Sequence, residues 1–166
     1  MEQITGFHHV GITVTSMERS LRFYRDLLGF EEVMSWNPRA EYIATLVGYP
    51  EVDLHATVLK LPDSSARLEL LEYRNVDGKE IDSRNGNAGT AHIAFFVDNL
   101  DAIYRDLVEA GVPSVSKPVT PTIGPNRGGR AVYMIDPDGI RVELIQTSGS
   151  FDQYAEDERV KAADRR

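Results

Sequence analysis

Apolar and polar residues alternate in two short stretches of the chain, residues 9–15 and 91–98, and each stretch has a histidine near its start. Because the side chains of a β-strand point alternately to its two faces, both stretches are predicted to be strands. His9 and His92 fall on the less apolar face of their strands. This placement indicates two ligands that converge from two related halves of the protein.

A helix is predicted after each strand. Thr15 and Glu18 resemble a capping box at the start of the first helix, and Gly29 is placed to end it. Asp98-Asn99 precedes the second helix. The apolar stripes of the two helices are Met17, Leu21 and Tyr24 in the first, and Leu100, Tyr104 and Leu107 in the second. The second stripe lies 83 positions after the first, as His92 does after His9, which indicates an internal duplication.

The remainder of each half is predicted to consist mainly of strands. The first half continues with strand-like segments at residues 39–47, 53–61 and 66–73, in the order β-α-β-β-β. The second half continues with a short segment at 112–116, a Pro/Gly-rich loop at 117–129, and strands at 130–135 and 140–146. Residues 75–89 are polar and turn-rich and are interpreted as a linker. Residues 148–166 form a polar tail, interpreted as a mobile end or a short surface helix.

The last strand of each half contains the pattern Arg-apolar-Glu-Leu, with the glutamate at Glu69 and Glu143. The apolar neighbours of each glutamate fall on the opposite face of the strand, where they are expected to meet the helix of the same half. This arrangement leaves Glu69 and Glu143 on the concave side with His9 and His92. Each half therefore contributes one histidine and one glutamate to the predicted site.

Composition limits the kinds of partner this chain can have. Its 166 residues suit one domain, or two small halves that share a core. The sequence has no cysteine, so any metal must be held by nitrogen and oxygen. A net charge of −8 argues against binding to nucleic acid or anionic membranes, and no apolar run is long enough to span a bilayer. We therefore expect a soluble cytoplasmic protein with a small-molecule partner.

The four candidate ligands His9, Glu69, His92 and Glu143 suit a divalent metal ion. Imidazole and carboxylate together favour five- or six-coordinate binding, which leaves about two positions for water or for two adjacent substrate oxygens. The alternative is that the histidines are hydrogen-bonded core residues and the glutamates are solvated. His8 and His55 are competing nitrogens, but alternation points His8 towards the helix and His55 has no counterpart in the second half.

Residues around these four positions resemble the vicinal oxygen chelate superfamily, which includes glyoxalase I, methylmalonyl-CoA epimerase, extradiol dioxygenases and antibiotic-resistance proteins. The resemblance covers about residues 6–147. Its motifs are His-His-Val-Gly-Ile-Thr-Val, Phe-Tyr-Arg-Asp-Leu-Leu-Gly-Phe, Ala-His-Ile-Ala-Phe and Asp-Pro-Asp-Gly-Ile-Arg-Val-Glu-Leu-Ile.

The resemblance implies an α+β fold within a single domain, residues 1–147. Two βαβββ modules, about residues 6–75 and 90–147, would form a partly open mixed β-barrel around one metal site, with the helices outside. Members of the superfamily commonly form homodimers. The two modules of a site belong either to one chain or to two.

Two histidines with two glutamates are similar to the ligand set of glyoxalase I, whereas the epimerases typically have glutamine at the position of Glu69. The resemblance implies a metal-dependent lyase or isomerase with one divalent ion, which is Ni, Co, Zn, Mn or Fe. The expected chemistry is proton abstraction next to a carbonyl through a chelated enediolate, with Glu143 as first choice of base and Glu69 as second. The alternatives are an epimerase of the methylmalonyl-CoA type, an extradiol-type dioxygenase and a metal-free drug-binding protein.

Further residues are candidates for holding the substrate. The flexible basic loop at residues 124–130 provides Asn126, Arg127 and Arg130, which are suited to an anionic substrate. The alternative is an exposed hairpin loop whose arginines are solvated. The other substrate-binding candidates are Arg67 and Tyr73, which share the face of Glu69, and Trp36, which follows the first helix.

Overall fold

The computed structural model describes residues 3–149, so the predicted tail lies outside the described residues from position 150 onward. The chain divides into two compact units between Ile81 and Asp82, a boundary that falls inside the segment interpreted as a linker. Each unit contains one mixed sheet.

The first unit contains four strands and two helices. These are β1 (Val10–Thr13), α1 (Met17–Leu21), β2 (Glu31–Trp36), α2 (Glu41–Val47), β3 (Leu54–Lys60) and β4 (Arg67–Tyr73). Helix α1 continues as a π-helical segment over Arg22–Leu27. The sheet has the order β1-β4-β3-β2, with β1 parallel to β4 and the other neighbours antiparallel.

One face of this sheet forms the core of the first unit. Leu59 lies opposite Leu68, and Leu70 lies opposite Thr57. All four side chains are buried. The side chains of α1 and its π-helical segment that join this core are Met17, Phe23 and Tyr24. Met17 and Tyr24 of the predicted stripe are thus buried, whereas Leu21 is partly exposed and Phe23, which was not in the stripe, is buried.

The predicted start of α1 was wrong by one residue. The N-cap is Ser16, whose Oγ accepts a hydrogen bond from the Arg19 N–H at 3.4 Å, and not Thr15. The Glu18 carboxylate forms an i,i+4 ion pair with Arg22 at 2.9 Å. Gly29, predicted to end the helix, has a φ of 79°, a conformation in which a residue without Cβ is favoured.

The strand predicted at residues 39–47 is a helix, α2. Only Ile43 of this segment is buried, while Tyr42 and Leu46 are 65% and 75% exposed, so no strand-like alternation of burial exists. Glu41 lies in the first turn, where a negative charge is favourable, and Gly48 ends the helix in the left-handed conformation.

The sheet instead contains β2, a strand that the sequence pattern did not indicate. It is an edge strand with a register shift between Glu32 and Met34, and five of its six residues are exposed. An edge strand that buries so little has no hydrophobic period to detect.

The second unit repeats the arrangement with fewer strands. Its elements are β5 (His92–Phe96), α3 (Leu100–Glu109), β6 (Arg130–Ile135) and β7 (Arg141–Gln146). The sheet has the order β5-β7-β6, with β5 parallel to β7 and β6 antiparallel to it. The strands predicted at 130–135 and 140–146 are present, whereas the 112–116 segment contributes only an isolated bridge from Ser114 to Met134.

The predicted α+β class is confirmed by these two mixed sheets and their accompanying helices. Within residues 3–149, no helix has the length and apolar character needed to cross a membrane.

Candidate functional site

In the first unit, His9 and Glu69 form a close pair. His9 lies immediately before β1, and Glu69 lies in the middle of β4, opposite Gly11. The Nε2 atom of His9 is 3.1 Å from Oε2 of Glu69, and the two side chains are 34% and 20% exposed. Both groups are therefore partly shielded but still open to a ligand.

In the second unit, His92 and Glu143 form the equivalent pair. Nε2 of His92 is 3.3 Å from Oε2 of Glu143, and the side chains are 48% and 17% exposed. Glu143 lies opposite Ala94 in the parallel register of β5 and β7. The histidine is thus two residues before the partner of the glutamate in both units.

This repeated register explains why the pairs form. Adjacent parallel strands bring a residue close to the diagonal neighbour two positions further along the partner strand, on the same face. A Cβ atom added at Gly11 would lie 3.9 Å from Nε2 of His9, which places that imidazole over the strand. The sequence prediction that each histidine shares a face with its glutamate is confirmed for both pairs.

The second nitrogen of each imidazole has a different environment in the two units. Nδ1 of His9 is 2.6 Å from Nδ1 of His8, so one of these two nitrogens carries the proton between them. The ring of His92 instead meets the ring of Tyr133 edge to face, with centroids 5.4 Å apart. The two histidines are therefore held by different contacts.

Tyr133 is a site residue that the sequence analysis missed. It lies directly opposite Glu143 in the antiparallel register of β6 and β7. Burial raises the pKa of the Tyr133 hydroxyl, and the negative charge of Glu143 raises it further. The corresponding residue opposite Glu69 is Val58, so only Glu143 has a hydroxyl neighbour at this position. This placement depends on the cross-strand register of β6 and β7, which the sequence motif does not specify.

Three of the predicted substrate-binding residues lie on the face of Glu69. Arg67 and Tyr73 are even numbers of residues away from Glu69 along β4. Trp36 lies opposite Ala56, which in turn lies opposite Leu71 on the same face. Burial raises the pKa of Tyr73, and the nearby Tyr49 and Glu69 raise it further.

The basic loop does not bring Arg130 to the predicted site, which corrects that placement. Arg130 lies opposite Gln146, on the helix-side face of its sheet, and its guanidinium donates to Asp101 of α3 at 2.7 Å. The carbonyl of Arg127 accepts a hydrogen bond from Ser148 at 2.6 Å, and that of Asn126 accepts one from the Gly129 N–H. These main-chain contacts hold the loop at the end of β6.

The donor chemistry of the two pairs fits a divalent metal. Each pair offers one imidazole nitrogen and one carboxylate oxygen, both on the same face of its sheet, which are the donors that borderline and hard divalent ions prefer. Among residues 3–149, no group of three or more potential ligands is already assembled. Each unit by itself therefore supplies two donors, and four donors require both units.

The chain belongs to the Glyoxalase/Bleomycin resistance protein/Dioxygenase superfamily, as the duplicated α+β units and their repeated His–Glu pairs already indicated. The family model matches residues 6–144. A 2-epi-5-epi-valiolone epimerase from an Actinomyces species is 30% identical over 158 residues, covering 90% of this chain and 84% of that protein. A lactoylglutathione lyase from Haemophilus influenzae is 30% identical over 145 residues, covering 86% of this chain and 93% of that protein.

A solved structure supports the same fold. The crystal structure of a glyoxalase family protein from Bacillus cereus superimposes with a TM-score of 0.74, covering 89% of this chain and 97% of that one. The identity is 19%, so this likeness concerns the fold. The resemblance identified from the sequence motifs is confirmed by the family model and by the two relatives.

Proposed function

We propose that this protein is a metal-dependent isomerase or lyase of the glyoxalase type, which removes a proton from the carbon next to a carbonyl in a small anionic substrate. The observation that supports this proposal is the pairing of histidine and glutamate at the same register in both units, at 3.1 Å and 3.3 Å. A repeat that served only packing would not need to keep both polar residues on the partly open face.

His9, Glu69, His92 and Glu143 would hold one divalent ion, which is Ni, Co, Zn, Mn or Fe. With no thiolate in the sequence, two nitrogens and two oxygens form a donor set suited to a site with open coordination positions. When bound, such an ion supplies Lewis-acid stabilisation of the negative charge that develops on substrate oxygens, a contribution of several kcal/mol.

The carboxylates would also move the proton. Glu143 is the proposed base, and its side chain is the less exposed of the two, at 17% against 20% for Glu69. A correctly placed general base contributes on the order of 10² to 10⁴ in rate. Return of the proton to the neighbouring carbon gives isomerisation, whereas return to the opposite face of the same carbon gives epimerisation.

The side chains that would hold the substrate are those on the face of Glu69. The guanidinium of Arg67 lies two residues along the strand from Glu69 and is suited to a carboxylate or phosphate. Tyr73 and Trp36 provide aromatic surface on the same face. These residues are suited to a small anionic substrate.

Epimerase activity is the second candidate. It is favoured by the 30% identity to the 2-epi-5-epi-valiolone epimerase over 90% of this chain. Proton removal by one carboxylate and return by the other requires the same four residues. Both candidates therefore predict exchange of one carbon-bound hydrogen with solvent.

Elemental analysis of protein purified without chelator tests the metal assignment. We expect one divalent ion per site in the wild type and loss of stoichiometric metal in His92→Ala. His55→Gln is the matched control, because its imidazole lies on the opposite face of the first sheet from Glu69. Unchanged metal content in both His92→Ala and Glu143→Ala would refute the assignment.

Solvent deuterium exchange tests the reaction class. Incubation in D₂O with lactoylglutathione or methylmalonyl-CoA should place deuterium on the carbon next to the carbonyl, as detected by mass spectrometry. Exchange should disappear in the double variant that carries both Glu143→Gln and Glu69→Gln. Retention of full exchange by the double variant would exclude these carboxylates as bases.

A further inference from the structure

A second histidine–glutamate pair lies on the helix-side face of the first sheet, opposite to the face of Glu69. His55 of β3 lies directly across from Glu72 of β4, with Nδ1 of His55 3.5 Å from Oε2 of Glu72. On its other side, Nε2 of His55 is 2.9 Å from Oγ of Ser35, on the neighbouring strand β2. The three side chains follow the order hydroxyl, imidazole, carboxylate.

The hydroxyl groups and the imidazole of this cluster can be ordered as one chain of donors and acceptors. Thr57, which is fully buried, lies 3.0 Å from Oγ of Ser35 and can donate its own proton to that oxygen. The Ser35 hydroxyl then donates to Nε2 of His55, which leaves the proton of the neutral imidazole on Nδ1, facing Glu72. Nδ1 is buried and has no closer hydrogen-bond partner among the described residues.

Glu72 is suited to stabilise a positive charge on His55. Burial by itself would raise the pKa of the carboxyl, but hydrogen bonds from the Met17 N–H and from Arg74 outweigh burial and lower it. The side chain is therefore ionised at neutral pH. An ionised carboxylate behind an imidazole favours the imidazolium that forms when the imidazole accepts a proton.

The cluster is specific to the first unit. In the second unit, the pair at the register of His55 and Glu72 is Arg130 and Gln146, which cannot perform the same chemistry. The duplicated fold therefore does not require a hydroxyl, an imidazole and a carboxylate side by side at this position. Ser35 is exposed and belongs to an edge strand, so a small molecule can reach its hydroxyl.

We propose that Ser35, His55 and Glu72 form an acyl-transfer site for small carboxylic esters, separate from the His9–Glu69 pair. Ser35 is the nucleophile, His55 is the general base, and Glu72 is the positioning residue that holds the imidazole. Thr57 holds the serine oxygen through its hydroxyl. This additional activity does not depend on the metal-dependent reaction.

The proposed reaction balances without a cofactor. Oγ of Ser35 bonds to the ester carbonyl carbon while its proton passes to Nε2 of His55. The bond from that carbon to the alkoxy oxygen then breaks, and His55 returns the proton to the leaving alcohol. Water, deprotonated by the same imidazole, attacks the acyl-serine, releases the carboxylic acid and regenerates Ser35.

Reaction with p-nitrophenyl acetate tests the site in the full-length protein. We expect a burst of p-nitrophenolate and an acetyl group on the peptide that contains Ser35, located by mass spectrometry. A fluorophosphonate probe should label the same residue of the wild-type protein. No adduct at Ser35 with either reagent would overturn the proposal, and this outcome needs no variant to fold.

Variants separate a nucleophile from a structural serine. Ser35→Ala should abolish the burst, and His55→Gln should slow acetylation by on the order of 10² or more. Thr57→Val should have a smaller effect, and Ser116→Ala, at a loop serine whose hydroxyl donates to the Lys117 carbonyl, should have none. A burst of equal rate in Ser35→Ala, or acetylation confined to lysines, would overturn the assignment.

Chelator treatment separates this proposal from the metal-dependent one. Removal of metal should leave acetylation of Ser35 unchanged, because none of the three residues belongs to the His9–Glu69 pair. Loss of acetylation on chelation, with recovery on addition of metal, would show that the ester reacts at the metal site instead.

Discussion

The side-chain Oε1 of Gln146 accepts a hydrogen bond from the main-chain N–H of Leu100 at 2.8 Å. In the first unit, Glu72 makes the same contact with the N–H of Met17 at 3.1 Å. Both acceptors lie three residues after a candidate ligand glutamate, and both donors begin a helix. In each helix, a main-chain N–H of the first turn is thus hydrogen-bonded by a side chain at the end of a neighbouring strand. This contact fixes the helix to its sheet.

Gln146→Ala should destabilise the second unit. It removes an acceptor from the start of α3, and the loss of a side-chain cap costs about 0.5–2 kcal/mol. The melting temperature should fall by a few degrees, roughly 2–4 °C per kcal/mol for a chain of this size. Thr147→Ala, at the next and exposed position, is the control. A melting temperature equal to that of the control would mean that the contact adds no stability.

The equivalent contact in the first unit should depend on pH. Because the folded-state pKa of Glu72 is lowered, its contribution is fully present above the ordinary glutamate value and is lost as pH falls through the folded value. The difference in melting temperature between wild type and Glu72→Gln should therefore shrink below about pH 4.3. Gln146 does not titrate, so the effect of Gln146→Ala should remain constant over the same range.

The duplication was predictable because it leaves two independent signals in the sequence. The offset of 83 positions relates both the strand histidines and the helix stripes, and the parallel registers of Glu69 and Glu143 repeat in the same way. A buried helix face and a half-buried strand each have a hydrophobic period, so both could be identified. The pairing of each histidine with its glutamate followed from that period.

The region between the first helix and β3 could not be predicted in the same way. Residues 39–47 were predicted to form a strand, yet only Ile43 is buried and residues 41–47 are helical. The edge strand β2 buries almost nothing. Where side chains have few tertiary contacts, local composition alone decides the prediction, and here it favoured the wrong element.

Residues that depend on cross-strand register were also difficult to identify. Tyr133 reaches Glu143 only because the hairpin of β6 and β7 pairs these two positions. The same register directs Arg130 to Asp101 on the helix side. A shift of one residue would have exchanged their faces, so neither placement followed from the motif.

Tyr133→Phe should impair the proposed reaction while metal remains bound. The phenol is the hydroxyl group placed opposite Glu143, and a hydrogen bond to a charged group contributes about 1.5–3 kcal/mol. We therefore expect turnover to fall on the order of 10-fold, with metal content unchanged by elemental analysis. Tyr104→Phe in α3 is the control. Equal turnover of the two variants would remove Tyr133 from the site.

Glu143→Gln distinguishes a base from a ligand. The amide keeps a coordinating oxygen but loses most of the basicity, so metal should remain while turnover falls by on the order of 10² or more. Glu109→Gln, on the exposed end of α3, controls for loss of a negative charge. A fully active Glu143→Gln protein would assign the base to Glu69.

We infer a homodimer from the exposed apolar residues on the edge strands. Val33 and Met34 of β2 are 58% and 53% exposed, and Phe96 of β5 is 71% exposed. Edge strands with apolar side chains tend to be covered by association. One chain has a mass of 18.6 kDa, and light scattering should therefore give twice that mass. A monomer at micromolar concentration would contradict this inference.

Mixing two inactive variants would show how a dimer builds its sites. His9→Ala lacks a donor in the first unit and His92→Ala lacks one in the second, so neither variant has four ligands in any chain. If each site combines the first unit of one chain with the second unit of its partner, a co-refolded mixture regains intact sites and part of the metal binding. The control is each variant refolded alone, which should bind no stoichiometric metal. Failure of the mixture to recover metal, in protein shown by light scattering to be dimeric, would mean that each chain completes its own site.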